Sequence, residues 1–171
     1  MADLNAEKLQ AIRQTQPKLV ILDLMVEGGL NSLPTPERTA AALLDTVQRI
    51  RAVDPAAKIA LVGPAPIWNG TLKDAILAWT RDHGGRLPPL YSDFRLAPET
   101  FDWDRYLRQA AARAGLGYFS TTDALCRIGQ CLTRFSDDAG RLTAIDNGHL
   151  TPAASRFVID HYGNQILGDL K

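Results

Sequence analysis

An aspartate and a histidine three residues apart, in Ile145-Asp146-Asn147-Gly148-His149-Leu150-Thr151-Pro152, are the side chains of this sequence best suited to chemistry. At that spacing a carboxylate can turn back and accept the proton of one imidazole nitrogen. The other nitrogen is then free to take a proton from a serine. The carboxylate fixes the tautomer and stabilises the imidazolium that forms. Thr151 and Pro152 follow as cap and first residue of a helix, which would anchor the pair on a rigid element. Spacing alone is a weak signal: 15 Asp and 3 His in 171 residues give roughly 0.3 such pairs by chance. An ordinary surface turn leading into a helix fits the same residues.

The elements that must position this pair alternate between helix and strand. Residues 5–16 read as a helix, with Asn5 as its cap and Leu9 and Ile12 at helical spacing; Pro17 ends it. Residues 18–26 form a short apolar run of the kind buried on both faces of a sheet. A loop rich in glycine and proline follows, and Thr35-Pro36 opens a helix with Ala41, Leu44, Val47 and Ile50 on one face. Residues 58–62 are a second buried strand, running into Gly63-Pro64-Ala65-Pro66-Ile67-Trp68, which cannot be helical. Helices are expected over 71–83, over 100–114 with Phe101, Tyr106, Leu107 and Ala110 as its stripe, and over 151–167. A short strand is expected at 117–119. This order predicts a parallel sheet covered by helices, with chemistry at the carboxyl ends of its strands. Those ends are residues 27–31, 63–68 and the loop before Thr151.

Composition narrows the function classes. Nineteen basic and nineteen acidic residues cancel, which argues against a nucleic-acid partner held by bulk charge. The longest apolar run, 19–26, is broken by Asp23 and far shorter than the roughly 20 residues of a spanning helix. The first residues carry no basic-then-apolar pattern, so no signal peptide is read. No phosphate loop, dinucleotide fingerprint or metal motif occurs, and no cofactor is expected. Trp79 and Trp103 read as packing, and His161 as a surface residue. His83 fits a helix C-terminus, and Trp68 fits either a cleft wall or the sheet edge.

The terminal Asp146-x-x-His149 block, the cysteines Cys126 and Cys131 ahead of it, and the strand ending in Gly63-Pro-Ala-Pro66 together resemble the SGNH (GDSL-like) hydrolase superfamily. More narrowly they resemble the SGNH domain fused to membrane acyltransferase-3 proteins in bacteria. The resemblance runs from Lys8 to about Ile166. It implies a three-layer α/β/α sandwich, flavodoxin-like, acting on O-linked acyl groups of glycans through a Ser-His-Asp triad. His149 matches the general base and Asp146 the orienting acid. It also implies a Cys126–Cys131 disulfide and a periplasmic or extracytoplasmic location. Two free thiols in a cytosolic protein are the alternative. An acyl-ester or glycan substrate, and a membrane acyltransferase domain on the same chain, are the partners implied.

Two departures from the family pattern follow. None of Ser32, Ser92, Ser120, Ser136 and Ser155 stands in a Gly-Asp-Ser block. Residues 1–171 are therefore expected to be a single SGNH-like domain that begins after its first strand, and the nucleophile is expected elsewhere. Where relatives carry Gly-x-Asn-Asp, this chain has Leu24-Met25-Val26-Glu27, and Val26 has no side-chain donor for an oxyanion. A degenerate, non-catalytic module that binds glycan or a partner protein is the competing expectation.

Overall fold

A computed structural model describes residues 4–23, 36–136 and 141–168. Three parallel strands, β1 (Leu19–Asp23), β2 (Lys58–Val62) and β4 (Gly117–Phe119), form the central sheet in the order β1-β2-β4. Leu19 pairs with Lys58 and Asp23 with Val62; Ala60 pairs with Gly117 and Val62 with Phe119. Alternate strand residues enter two different cores. Ile59 and Leu61 pack with Leu43, Val47 and Ile50 of α2 (Pro36–Val53) and with Trp103, Leu107, Ala110 and Ala111 of α4 (Glu99–Ala114). Leu9 and Ile12 of α1 (Leu4–Thr15) flank that layer. Ala60 and Phe119 point the other way, toward Leu125, Val158 and Tyr162 on α5 (Thr121–Leu125) and α6 (Pro152–Gly168). Consecutive apolar residues, as in Ile59 to Val62 of β2, are what a sheet covered on both faces requires. The three-layer arrangement expected from the sequence is thus present.

Element types match the sequence reading, and the differences have physical causes. The inward face of α2 is Leu43, Val47 and Ile50; Leu44 is exposed, because the true stripe is offset by one residue from the expected Ala41-Leu44 line. A second sheet, absent from the sequence reading, joins β3 (Tyr91–Ser92), β5 (Cys126–Arg127) and β6 (Gln130–Leu132) antiparallel in the order β3-β6-β5. Strands of two or three residues are too short to show a period. Cys126 and Cys131 face each other across the β5–β6 hairpin and are joined by a disulfide. The turn between them, Ile128-Gly129, has φ of 49° and 77°. That is the primed geometry a two-residue hairpin needs, here with a fully exposed isoleucine where glycine or asparagine is usual. Trp68 is buried against Leu72, Ile76 and Leu96, so of its two expected places packing is the one observed.

β1 lies at the sheet's edge: no described residue pairs with its outer side, and Ile21 there is 46% exposed. The expected cap Thr35, the glycines at 28–29, Val26 and Ser32 lie outside the described residues. Among the described residues no helix is long and apolar enough to cross a membrane.

Candidate active site

The carboxyl ends of the strands open into a cavity of about 570 Å³. Its walls come from Ile21 and Asp23 of β1, the loop 63–67 after β2, the turn 145–150, and Ser155, Val158 and Ile159 of α6. This is the location expected for chemistry in a parallel sheet.

The turn is built by Asp146 itself. Its Oδ1 accepts the backbone N–H groups of Gly148 at 2.9 Å and His149 at 2.8 Å. Its Oδ2 faces His149 Nδ1 at 2.6 Å. One carboxylate therefore folds the loop and orients the ring. The backbone donors, Gly148 first and then His149, hold the Asp146 carboxyl below the usual carboxylate range, and the imidazole adds to this. His149 Nε2 has no hydrogen-bond partner among the described residues and belongs to the cavity wall. The turn is clamped from outside. Trp68 N–H donates to the Asn147 carbonyl at 2.8 Å, Leu72 N–H to the Asp146 carbonyl at 3.1 Å, and Ile145 N–H to the His149 carbonyl at 2.8 Å. Thr151 caps α6 as expected: its Oγ1 accepts from Ala154 N–H at 3.2 Å and donates to the Leu142 carbonyl at 2.8 Å.

The facing loop is pinned as firmly. Gly63 N–H donates to the Phe119 carbonyl at 2.9 Å, and Thr121 Oγ1 donates to the Gly63 carbonyl at 2.9 Å. Ile67 N–H donates to Thr100 Oγ1 at 3.0 Å. Pro64 and Pro66 have no N–H, so Ala65 carries the one main-chain donor of 63–67 without an acceptor among the described residues. Beneath Gly63 lies a polar cluster that the sequence reading missed. Tyr118 Oη and Ser120 Oγ both donate to Asp104 Oδ1, at 2.9 and 2.6 Å. Arg108 bridges Asp104 and Asp123 at 3.1 and 2.7 Å. Burial, then the Asp104 charge, pushes the Tyr118 hydroxyl far above its usual range. The available signal was positional: Asp104 falls on the buried stripe of α4 between Thr100 and Leu107, where a carboxylate needs partners.

Of the expected site residues, Asp146 and His149 are brought together. Cys126 and Cys131 are bonded to each other, away from the cavity lining. Ser155, one of the serines outside any Gly-Asp-Ser block, is exposed and lines the cavity. Ser92 and Ser120 are buried and bonded to backbone or to Asp104. His83 caps the C-terminus of α3 (Leu72–Asp82) and stacks on Trp79 at 3.8 Å. Asp23, although accessible on the cavity wall, loses hydration to the surrounding protein, which raises its carboxyl above the usual value. Among the described residues no group of three His, Cys, Asp or Glu could hold a metal ion.

The family model described as the SGNH domain fused to AT3 domains matches residues 2–164. Among solved structures, the periplasmic domain of a lipopolysaccharide acetyltransferase from Salmonella ser. Paratyphi A superposes with a TM-score of 0.89 at 33% identity, over 96% of this chain and 62% of that one. A peptidoglycan O-acetylesterase gives 0.65 at 19% identity, over 96% and 41%. A carbohydrate acetylesterase from Sinorhizobium meliloti gives 0.60 at 15%, over 96% and 67%. The last two likenesses are likenesses of fold. No curated protein matches the chain. The chain thus spans under two thirds of the Salmonella domain's length.

Proposed function

The chain belongs to the SGNH domains fused to AT3 domains, and on that premise we propose that it is the His-Asp part of an O-acyl (acetyl) transferase or esterase acting on cell-envelope polysaccharide outside the cytoplasm. The observation that carries this reading is the Asp146–His149 pair on the wall of the carboxyl-end cavity, its outer nitrogen unpartnered among the described residues. In the reaction, a serine Oγ attacks the acyl carbonyl while its proton passes to His149 Nε2. The sugar oxygen then leaves and takes that proton, giving an acyl-enzyme. An acceptor hydroxyl or water reverses the sequence. Asp146 stays ionised throughout, stabilising the imidazolium without taking its proton. Ala65 N–H, which has no acceptor among the described residues, is a donor for the carbonyl oxygen as charge develops on it. Val26 offers no side-chain donor, and one such hydrogen bond contributes about 3 kcal/mol. No Gly-Asp-Ser occurs in this sequence, so the reading takes the nucleophile, and the strand bearing it, from a segment outside these residues. The neighbouring Salmonella domain is periplasmic, and the disulfide fits such an oxidising compartment.

The test is acetyl-ester hydrolysis by a longer polypeptide carrying a Gly-Asp-Ser segment ahead of this chain. H149A and D146N should each lower turnover by about four orders of magnitude. Turnover unchanged in H149A would overturn the reading, as would turnover by residues 1–171 alone that S155A abolishes. A second reading, a non-catalytic glycan-binding module, is favoured by the lack of Gly-Asp-Ser. It predicts binding without turnover in both polypeptides.

A further inference from the structure

Around the first two turns of α6, on the side away from the cavity, lies a second groove of about 480 Å³. Phe135, Arg141, Pro152, Arg156, Phe157 and Asp160 line it. The rings of Phe135 and Phe157 meet at 5.5 Å and are tilted 54°, yet Phe157 remains 38% exposed. Arg141 and Arg156 are both exposed, and neither closes an ion pair with a described residue. Asp160 stands four residues after Arg156, the spacing of a helical ion pair, and that pair is open as well. An exposed ring shares one concavity with two guanidinium forks and one carboxylate, and those charged groups are unused by the described fold and by the reaction above.

We propose that this groove binds an acidic sugar residue of the glycan. A guanidinium fork matches a carboxylate in two parallel hydrogen bonds. The negative face of Phe157 suits the polarised C–H face of a pyranose ring. Asp160 accepts a sugar hydroxyl. An inorganic anion would use the arginines alone. A bilayer surface calls for clusters of roughly four to eight basic residues, and two arginines beside an aspartate do not supply that. α6 links the two sites: Ser155 and Val158 face the cavity with His149, while Arg156 and Phe157 face the groove. A helix is about 10–12 Å across with its side chains. One glycan can therefore cross the start of α6 with its acid in the groove and its ester at His149. The inference rests on the preceding reading only in taking glycan as the substrate.

The experiment is an NMR titration of the full chain with trigalacturonate, its neutral methyl ester, inorganic phosphate, and vesicles of anionic phospholipid. Trigalacturonate should shift the amides of Arg141, Arg156 and Phe157 saturably, and the methyl ester should bind about tenfold more weakly, as expected for loss of a charged hydrogen bond. R141A and R156A should each weaken binding about tenfold, and R156K, which keeps the charge but not the fork, by less. Both arginines are exposed, so near-UV circular dichroism of these variants should match the parent. Equal binding of acid and ester, or unchanged binding in R141A and R156A, overturns the proposal. So does phosphate or the vesicle surface reproducing the same shifts at equal affinity. H149A should bind as the parent does. Groove shifts with no turnover in the serine-bearing polypeptide would remove the catalytic reading and leave the groove standing. Turnover with no groove shifts would do the reverse.

Discussion

Gly63 sits where the loop after β2 meets the polar cluster of Asp104, Tyr118 and Ser120, and adding one methyl group there tests that arrangement. A Cβ at Gly63 would lie 2.9 Å from Tyr118 Cζ and 3.0 Å from Asp104 Oδ1, with Tyr118 Oη nearer still. The backbone at Gly63 does not have positive φ, so alanine meets no conformational penalty and the cost is steric. Forcing a methyl into a packed interior costs about 1–3 kcal/mol. Displacing Tyr118 also breaks its 2.9 Å hydrogen bond to the Asp104 carboxylate, a charged bond contributing about 1.5–3 kcal/mol. Partial relaxation makes the two terms overlap, and about 3 kcal/mol is expected for G63A. At this chain length that lowers the melting temperature by about 6–12 °C. Urea unfolding of G63A, Y118F and G63A/Y118F closes a double-mutant cycle. Removing Oη takes away the nearest obstacle, so G63A should cost about 1–2 kcal/mol less in the Y118F background. A parental urea midpoint for G63A, or fully additive costs around the cycle, would refute the reasoning.

Three further outcomes follow from the same geometry. The Cys126–Cys131 bridge closes a loop with a sequence separation of 5. Chain entropy assigns such a bridge about 2 kcal/mol, so C126A/C131A or reduction should lower the calorimetric melting temperature by about 4–8 °C. The Asp146 carboxyl is held below its unfolded-state value, so its contribution to stability is fully present above about pH 4 and is lost as pH falls through the depressed folded value. D146N should therefore flatten the acid limb of a melting-temperature profile between about pH 5 and 2. The change should be modest because the carboxylate is 39% exposed, and an unaltered limb would contradict it. The side of β1 that no described residue pairs, with Ile21 exposed, should make residues 1–171 self-associate with rising concentration in sedimentation velocity, and I21K should suppress this.

Much of the architecture was legible because long elements carry their own signals. The bounds of β2 and β4 match the expected 58–62 and 117–119. Thr151 caps the helix it precedes, as expected. The Asp146–His149 pair was legible for a different reason: its carboxylate bonds only to residues two and three positions away, so local spacing contains the geometry. What was illegible is non-local. Asp104 meets Tyr118 and Ser120 from 14 and 16 residues away, and Gly63 approaches Tyr118 and Asp104 from the loop after β2. The offset of one residue in the stripe of α2 arose because Ala41 and Leu44 are as apolar as the positions that are buried, leaving orientation to the neighbouring helices.

By itself, then, the sequence determined the order of elements, the buried strands and the turn that joins a carboxylate to an imidazole, because each depends on contacts a few residues apart. Only the tertiary structure decided which surface that imidazole faces. It brought the loop after β2 over a half-buried tyrosine and a buried aspartate, and placed Ala65, whose N–H has no acceptor among the described residues, on the wall of the same cavity as His149. It also turned one face of α6 to the cavity and another to the groove of Arg141 and Arg156. Those relations are fixed by packing between distant segments, where side-chain volume and hydrogen-bond satisfaction select one arrangement that no local spacing encodes.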